Sequence, residues 1–154
     1  MRVILIIFAM FLASISSSYA SNEKQCTKED AFQAESDTGN LKSWDDVYRS
    51  FKHYSHCNLD DGGISEGYSD KIGLMLANDW DNIAKLNKLC ETDKKFKHFM
   101  YKHLDMTISA DTWALMVNNA VNKCPSYAKS ICKMILQAND AIGLEIKQER
   151  QGNN

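Results

Sequence analysis

An all-α bundle of five or six helices, with at least one disulfide, follows from three features of this sequence. Apolar residues recur at spacings of three and four through most of the chain. No alternating apolar–polar run of useful length and no Asn-Gly hairpin signal interrupts them. One proline and seven glycines leave few of the breaks that a chain of many short strands requires. The 154 residues suit a single domain. The formal net charge of −2 excludes a strongly basic nucleic-acid binder.

The first twenty residues read as a secretory signal peptide. Arg2 supplies the positive start, residues 3–13 form an apolar run, and Ser18-Tyr19-Ala20 fits a small-x-small cleavage site. The run is about half the roughly 20 apolar residues that a membrane-spanning helix needs. Cleavage after Ala20 leaves 134 residues, with 17 basic and 20 acidic side chains, a net of −3. All five cysteines remain, and they face an oxidising compartment, the periplasm in a bacterium.

Residues 21–42 are polar and charged, with Phe32 as the one aromatic. They read as a lead-in, either loose or a weak short helix that ends at Gly39-Asn40. The helical domain proper is expected over 43–148, and 149–154 is a flexible tail. Ser43 is an N-cap, and Asp45 and Asp46 suit the positive end of a helix. Trp44, Val47, Tyr48, Phe51 and Tyr54 form its apolar stripe. The 58–63 segment, with Asn58, Asp60, Asp61 and two glycines, stops it. Ile64, Tyr68, Ile72, Met75 and Leu76 make a second stripe. Gly67 and Gly73 each weaken that helix by about 1 kcal/mol relative to Ala, which points to a neighbouring element at close approach. A bend near Asn78-Asp79 precedes a short helix carrying Trp80, Ile83, Leu86 and Leu89.

Thr92-Asp93 caps the next helix, whose stripe is Phe96, Phe99, Met100, His103 and Leu104, with His103 half-buried. A polar bend over 105–109 follows. Ser109 then caps a helix to about Lys123, with Trp113, Met116, Val117, Ala120, Val121 and Cys124 inward. Pro125 breaks the chain. The last helix restarts at Ser126 and buries Ala128, Ile131, Ile135, Ala138, Ile142 and Ile146. A core on this scale removes roughly two-thirds of the unfolded surface from water.

No residue pattern assembles a catalytic or metal centre. His53 and His56 lie three apart beside Cys57, without the further ligands that zinc needs. His98 and His103 are five apart and do not share a helix face. There is no G-x-S-x-G nucleophile motif, and cysteines in an oxidising compartment tend to pair rather than act as thiolates. Asp60-Asp61 resembles half a calcium loop but lacks the carboxylate ladder and closing Glu. No cofactor and no enzymatic activity are implied. Among the cysteines, Cys124–Cys132 is the favoured bridge and Cys57–Cys124 the rival. Cys26 is placed to staple the N-terminal segment, and an odd thiol is left either buried or linking two chains.

Several stretches, taken in order, resemble the immunity proteins of type VI secretion amidases. They are Trp44-Asp45-Asp46-Val47-Tyr48 with Phe51-Lys52-His53-Tyr54, then Asp61-Gly62-Gly63-Ile64-Ser65-Glu66-Gly67-Tyr68-Ser69-Asp70, the 74–80 and 99–105 runs, and Asn122-Lys123-Cys124-Pro125 leading to Cys132. The likeness covers about residues 43–135 and departs over 21–41 and at Cys26 and Cys90. It implies a small periplasmic helical protein, often a homodimer, without enzymatic activity or membrane insertion after signal cleavage. Its implied partner is a papain-like cysteine amidase that cleaves peptidoglycan, whose groove is occluded by a protruding loop of the inhibitor. Two loops qualify here. One is Asp105, Met106, Thr107, Ile108 and Ser109. The other is Asn58, Asp60 and Asp61. The first is preferred because its flanking helices hold it rigid, which limits the entropy cost of binding. A generic periplasmic helical binding module is the alternative. A secreted odorant-binding type is a third, but those commonly carry six cysteines in fixed spacing.

Overall fold

The computed structural model describes residues 25–152. Among them lie seven α-helices and no strand: α1 (Lys28–Thr38), α2 (Trp44–His53), α3 (Gly62–Asn78), α4 (Ile83–Thr92), α5 (Lys94–Lys102), α6 (Ala110–Asn122) and α7 (Lys129–Gly152). Single 3₁₀ turns, Trp80–Asn82 and Ser126–Ala128, lead into α4 and α7. The expected signal peptide falls outside the described residues.

The helix beyond the five or six counted from periodicity is α1. Only Ala34 and Thr38 of it are buried, so its apolar stripe is faint. A capping box defines it instead: Asp30 N–H donates to Thr27 Oγ1 at 3.0 Å, and Thr27 N–H donates back to the Asp30 carboxylate at 3.2 Å. Two ties then hold α1 to the body. Cys26 is bonded to Cys57, and the Tyr54 hydroxyl donates to Asp37 Oδ2 at 2.6 Å. At the α1–α3 contact, a Cβ on Gly67 would lie 2.2 Å from Thr38 Oγ1. The glycine is there because Thr38 occupies the space a side chain would need.

Helix α3 packs against both α1 and α6, and α7 packs on α6. Tyr68, Ile72 and Leu76 of α3 are fully buried, alongside Met116 of α6 and Ile131 and Ile135 of α7. An aromatic cluster joins α2 and α5 to this core. Tyr48 and Phe96 meet edge-on with centroids 4.9 Å apart, Phe51 and Phe99 lie at 4.9 Å, and Tyr68 meets Phe99 edge-on at 5.0 Å. Cys124 is bonded to Cys132 across the Pro125 break. The rival Cys57–Cys124 bridge is ruled out, because Cys57 holds Cys26. Cys90 is free and buried, so it links no second chain.

The structure corrects the expected inward faces at three places. Val121 is 60% exposed, and Asn119 takes the inward place on α6, donating through Nδ2 to the Leu76 and Ala77 carbonyls at 3.1 and 2.9 Å. Those carbonyls end α3 and would otherwise lack partners. On α7 the buried stripe stops at Ala138; Ile142 is half-buried and Ile146 is 37% exposed. The physical reason is length: α7 has 24 residues against 13 for α6, so it outruns its partner. For the same helix, the expected flexible tail is helical through Gly152.

Candidate functional site

The loop between α5 and α6 is built around one carboxylate. Asp105 Oδ1 accepts from the Thr107 N–H at 2.9 Å and from the Thr107 hydroxyl at 2.5 Å. Asp105 Oδ2 accepts from the buried Ser69 hydroxyl at 2.8 Å, and its carbonyl accepts from Trp113 Nε1 at 3.0 Å. Ser109 caps α6 by accepting from the Thr112 N–H. Ile108 is buried and fills the space over Gly73, where a Cβ would lie 2.9 Å from Ile108 Cγ2. Of the five residues expected to present a surface, Ile108 is therefore an anchor and Asp105 a brace. Met106, 52% exposed, and Thr107 face solvent at the tip, with Ser109 beside them.

The second loop is held differently. Its base is the Cys26–Cys57 bridge and the buried Leu59. Asp60 N–H donates to Asn58 Oδ1 at 3.3 Å, and the Asp60 carboxylate lies 3.2 Å from Lys102 Nζ. Asp61 is the N-cap of α3 but makes no side-chain capping bond. Asn58, Asp60 and Asp61 are all exposed.

Residues Lys102 and His103 sit between these loops, so the two alternatives are neighbours on one surface. His103 is fully buried rather than half-buried, because it closes α5 against α3 instead of turning outward. Its Nδ1 lies 3.3 Å from Ser69 Oγ and 3.5 Å from Ser65 Oγ. Ser69 donates its own hydrogen to Asp105, so His103 Nδ1 carries the proton toward it. His103 Nε2 then has no hydrogen-bond partner and faces Asp60 Oδ1 at 3.9 Å. Burial pushes the imidazole down to about 4, against the opposing pull of Asp60 and Asp105. A serine, a histidine and two carboxylates are thus adjacent, but Ser69 and His103 have no exposed surface at which a substrate would meet them. Their chemistry is that of a polar brace under the 105–109 loop, tied through Ser69 to α3.

Other titratable groups follow the same logic. Burial raises the Cys90 thiol to about 12, so it stays protonated at neutral pH. His56 Nε2 lies 3.4 Å from the Asp30 carboxylate, while His53 stacks edge-on against Tyr54. No group of three or more His, Cys, Asp or Glu side chains among the described residues could hold a metal ion. Beside Met106 an apolar hollow of about 560 Å³ runs between α6 and the outer half of α7, past Trp113, Val117 and Ile142.

Ser69 was missed in the sequence and Asp105 was expected at the surface rather than as a brace, because neither carries a periodic signal. The one available hint was a serine on the same face as Tyr68 and Ile72. No family model matches the chain, and no curated protein and no solved structure matches it either. What the fold and site define is a class: an all-α domain held by two disulfides, with a braced loop whose tip faces solvent. The disulfides fit an oxidising compartment, and no helix among the described residues is long and apolar enough to cross a membrane.

Proposed function

We propose that this chain is a periplasmic immunity protein that binds a peptidoglycan-cleaving cysteine amidase of a type VI secretion system and occludes its active site. The observation that carries the reading is the braced 105–109 loop, which presents Met106 and Thr107 on a turn already fixed by Asp105, Ser69 and Trp113. A loop ordered before binding loses little entropy on entering a groove. The reading rests on the ordered likeness over residues 43–135, and the two disulfides support a compartment shared with such a toxin. In this reading the protein works as a homodimer and has no catalytic role of its own.

The test is whether a cysteine amidase is encoded beside this gene and whether the mature chain inhibits its cleavage of peptidoglycan. The mature chain should form a complex with it and abolish cleavage. Replacing Met106 and Thr107 together by alanine should weaken inhibition by roughly tenfold or more without unfolding the protein. Full inhibition by that variant moves the contact to Asp60 and Asp61. Absence of any complex sinks the proposal. The second reading, a generic helical binding module, is favoured by the apolar hollow beside Met106, which has the size and lining of a small-ligand site.

A further inference from the structure

Helix α5 and the start of α7 concentrate positive charge in a chain that is net acidic. Lys94, Lys95, Lys97 and Lys102 lie within the nine residues of α5, and Lys129 and Lys133 open α7. The inward face of α5 is taken by Phe96, Phe99 and Met100, so its lysines are directed to the flanks. Where α5 meets α7, a cleft of about 500 Å³ opens between them, with Lys94, Lys97, His98 and Lys133 among its lining. Tyr101 and Met134 give it apolar surface, and Ser130 and Gln137 add a hydroxyl and an amide.

Two observations describe the surroundings of these lysines. Lys52, Lys85 and Lys102 each have a carboxylate within 2.8–3.4 Å. Lys94, Lys97 and Lys133 have no ion-pair partner among the described residues, although Lys97 is half-buried. No carboxylate lines this cleft, whereas the hollow beneath the 58–61 loop holds Asp60 and the one beside Tyr54 holds Asp37 and Asp46. Like charges gathered around a concave wall without counter-charge repel one another, and an anion bound among them relieves that repulsion.

We infer that the α5–α7 cleft is a binding site for a small molecule carrying two or more phosphate or carboxylate groups. Lys94, Lys97 and Lys133 supply the point charges that such groups accept. Gln137 supplies a directional hydrogen bond, and Tyr101 and Met134 cover an uncharged body. The cleft volume falls within the range of small-ligand sites, roughly 300–1,000 Å³. The site is independent of the amidase reading, since neither Met106 nor Thr107 lines it.

Calorimetric titration of the full mature chain with pyrophosphate, and separately with citrate, at low ionic strength tests this. One saturable site is expected, weakened by about tenfold or more in a Lys97→Gln/Lys133→Gln variant. A Lys42→Gln/Lys147→Gln variant, which loses the same charge elsewhere, should bind as the unmodified chain does. Saturation by pyrophosphate alone assigns a phosphate ligand, by citrate alone a carboxylate ligand, and by both a site that reads charge without discriminating. Absence of saturation with either anion overturns the inference, as does equal weakening in the two variants, which would mean diffuse attraction to net charge.

Discussion

The two loops flanking His103 are held by opposite means. The 105–109 loop is fixed from within, by hydrogen bonds that converge on Asp105 from its own backbone, from α3 and from α6. The 58–61 loop is fixed from outside, by a disulfide at its base and a surface ion pair to Lys102. A half-buried carboxylate with several partners is costly to disturb, whereas an exposed ion pair contributes little. The acidic, glycine-rich loop, though more conspicuous in sequence, has the weaker side-chain support of the two. His103 lies buried between them, and the contact that joins them is the Lys102–Asp60 pair.

The largest expected effect comes from removing the outer restraint. The Cys26–Cys57 bridge closes 31 residues, and in the chain-entropy model its loss costs about 4 kcal/mol, against roughly 2.5 kcal/mol for the 8-residue Cys124–Cys132 bridge. Denaturant unfolding of the Cys26→Ser/Cys57→Ser and Cys124→Ser/Cys132→Ser variants should show that order. Amide exchange should rise in α1 and over 58–61 but stay slow at Thr107. Faster exchange at Thr107 would mean that the two loops do not differ in this way.

Acidification should act next, through the residue between them. His103 is pushed down to about 4 in the folded chain from the usual 6.5, so between these values the unfolded chain binds more protons. Its contribution is fully present above pH 6.5 and is lost as pH falls toward 4, up to roughly 3 kcal/mol. Melting temperatures measured across that window should fall for the unmodified chain, and a His103→Gln variant should flatten the His-linked part of the slope. An unchanged slope would remove His103 as the titrating group.

The direct contrast is the smallest in energy and the most specific. Asp105→Ala strips Ser69, which is fully buried, and the Thr107 N–H of their acceptor, and should cost about 2 kcal/mol. Asp60→Asn breaks only the exposed Lys102 pair and should cost between about 0 and 1 kcal/mol. Equal losses in the two variants, measured by chemical denaturation, would erase the distinction between internal and external support.

Much of the architecture was legible along the chain. The caps at Ser43, Asp93 and Ser109 sit where expected, and Asp93 takes both the Lys95 and Phe96 N–H groups. The glycine pair that implied close approach is explained by Thr38 over Gly67 and Ile108 over Gly73. What escaped was the polar interior. Asn119 and Ser69 are inward because each meets a partner distant in sequence, and hydropathy ranks a residue without knowing its partners; His103, expected half-buried on the α5 stripe, is fully buried for the same reason. For 21–42 the helical of the two open readings holds as α1, with a cap, a bridge and a contact with α3 in place of an apolar stripe.

By itself, then, the order of residues determined the helical class, most of the apolar faces, the capping positions and the break at Pro125, because these depend on neighbours within a turn or two. Tertiary structure alone decided that Cys57 bonds Cys26, that α7 outruns α6, that Ile108 is an anchor, and that the two loops adjoin through the Lys102–Asp60 pair. Each of those is a meeting of residues at least several turns apart in sequence, and such meetings are chosen by packing of the whole core, which no local spacing encodes.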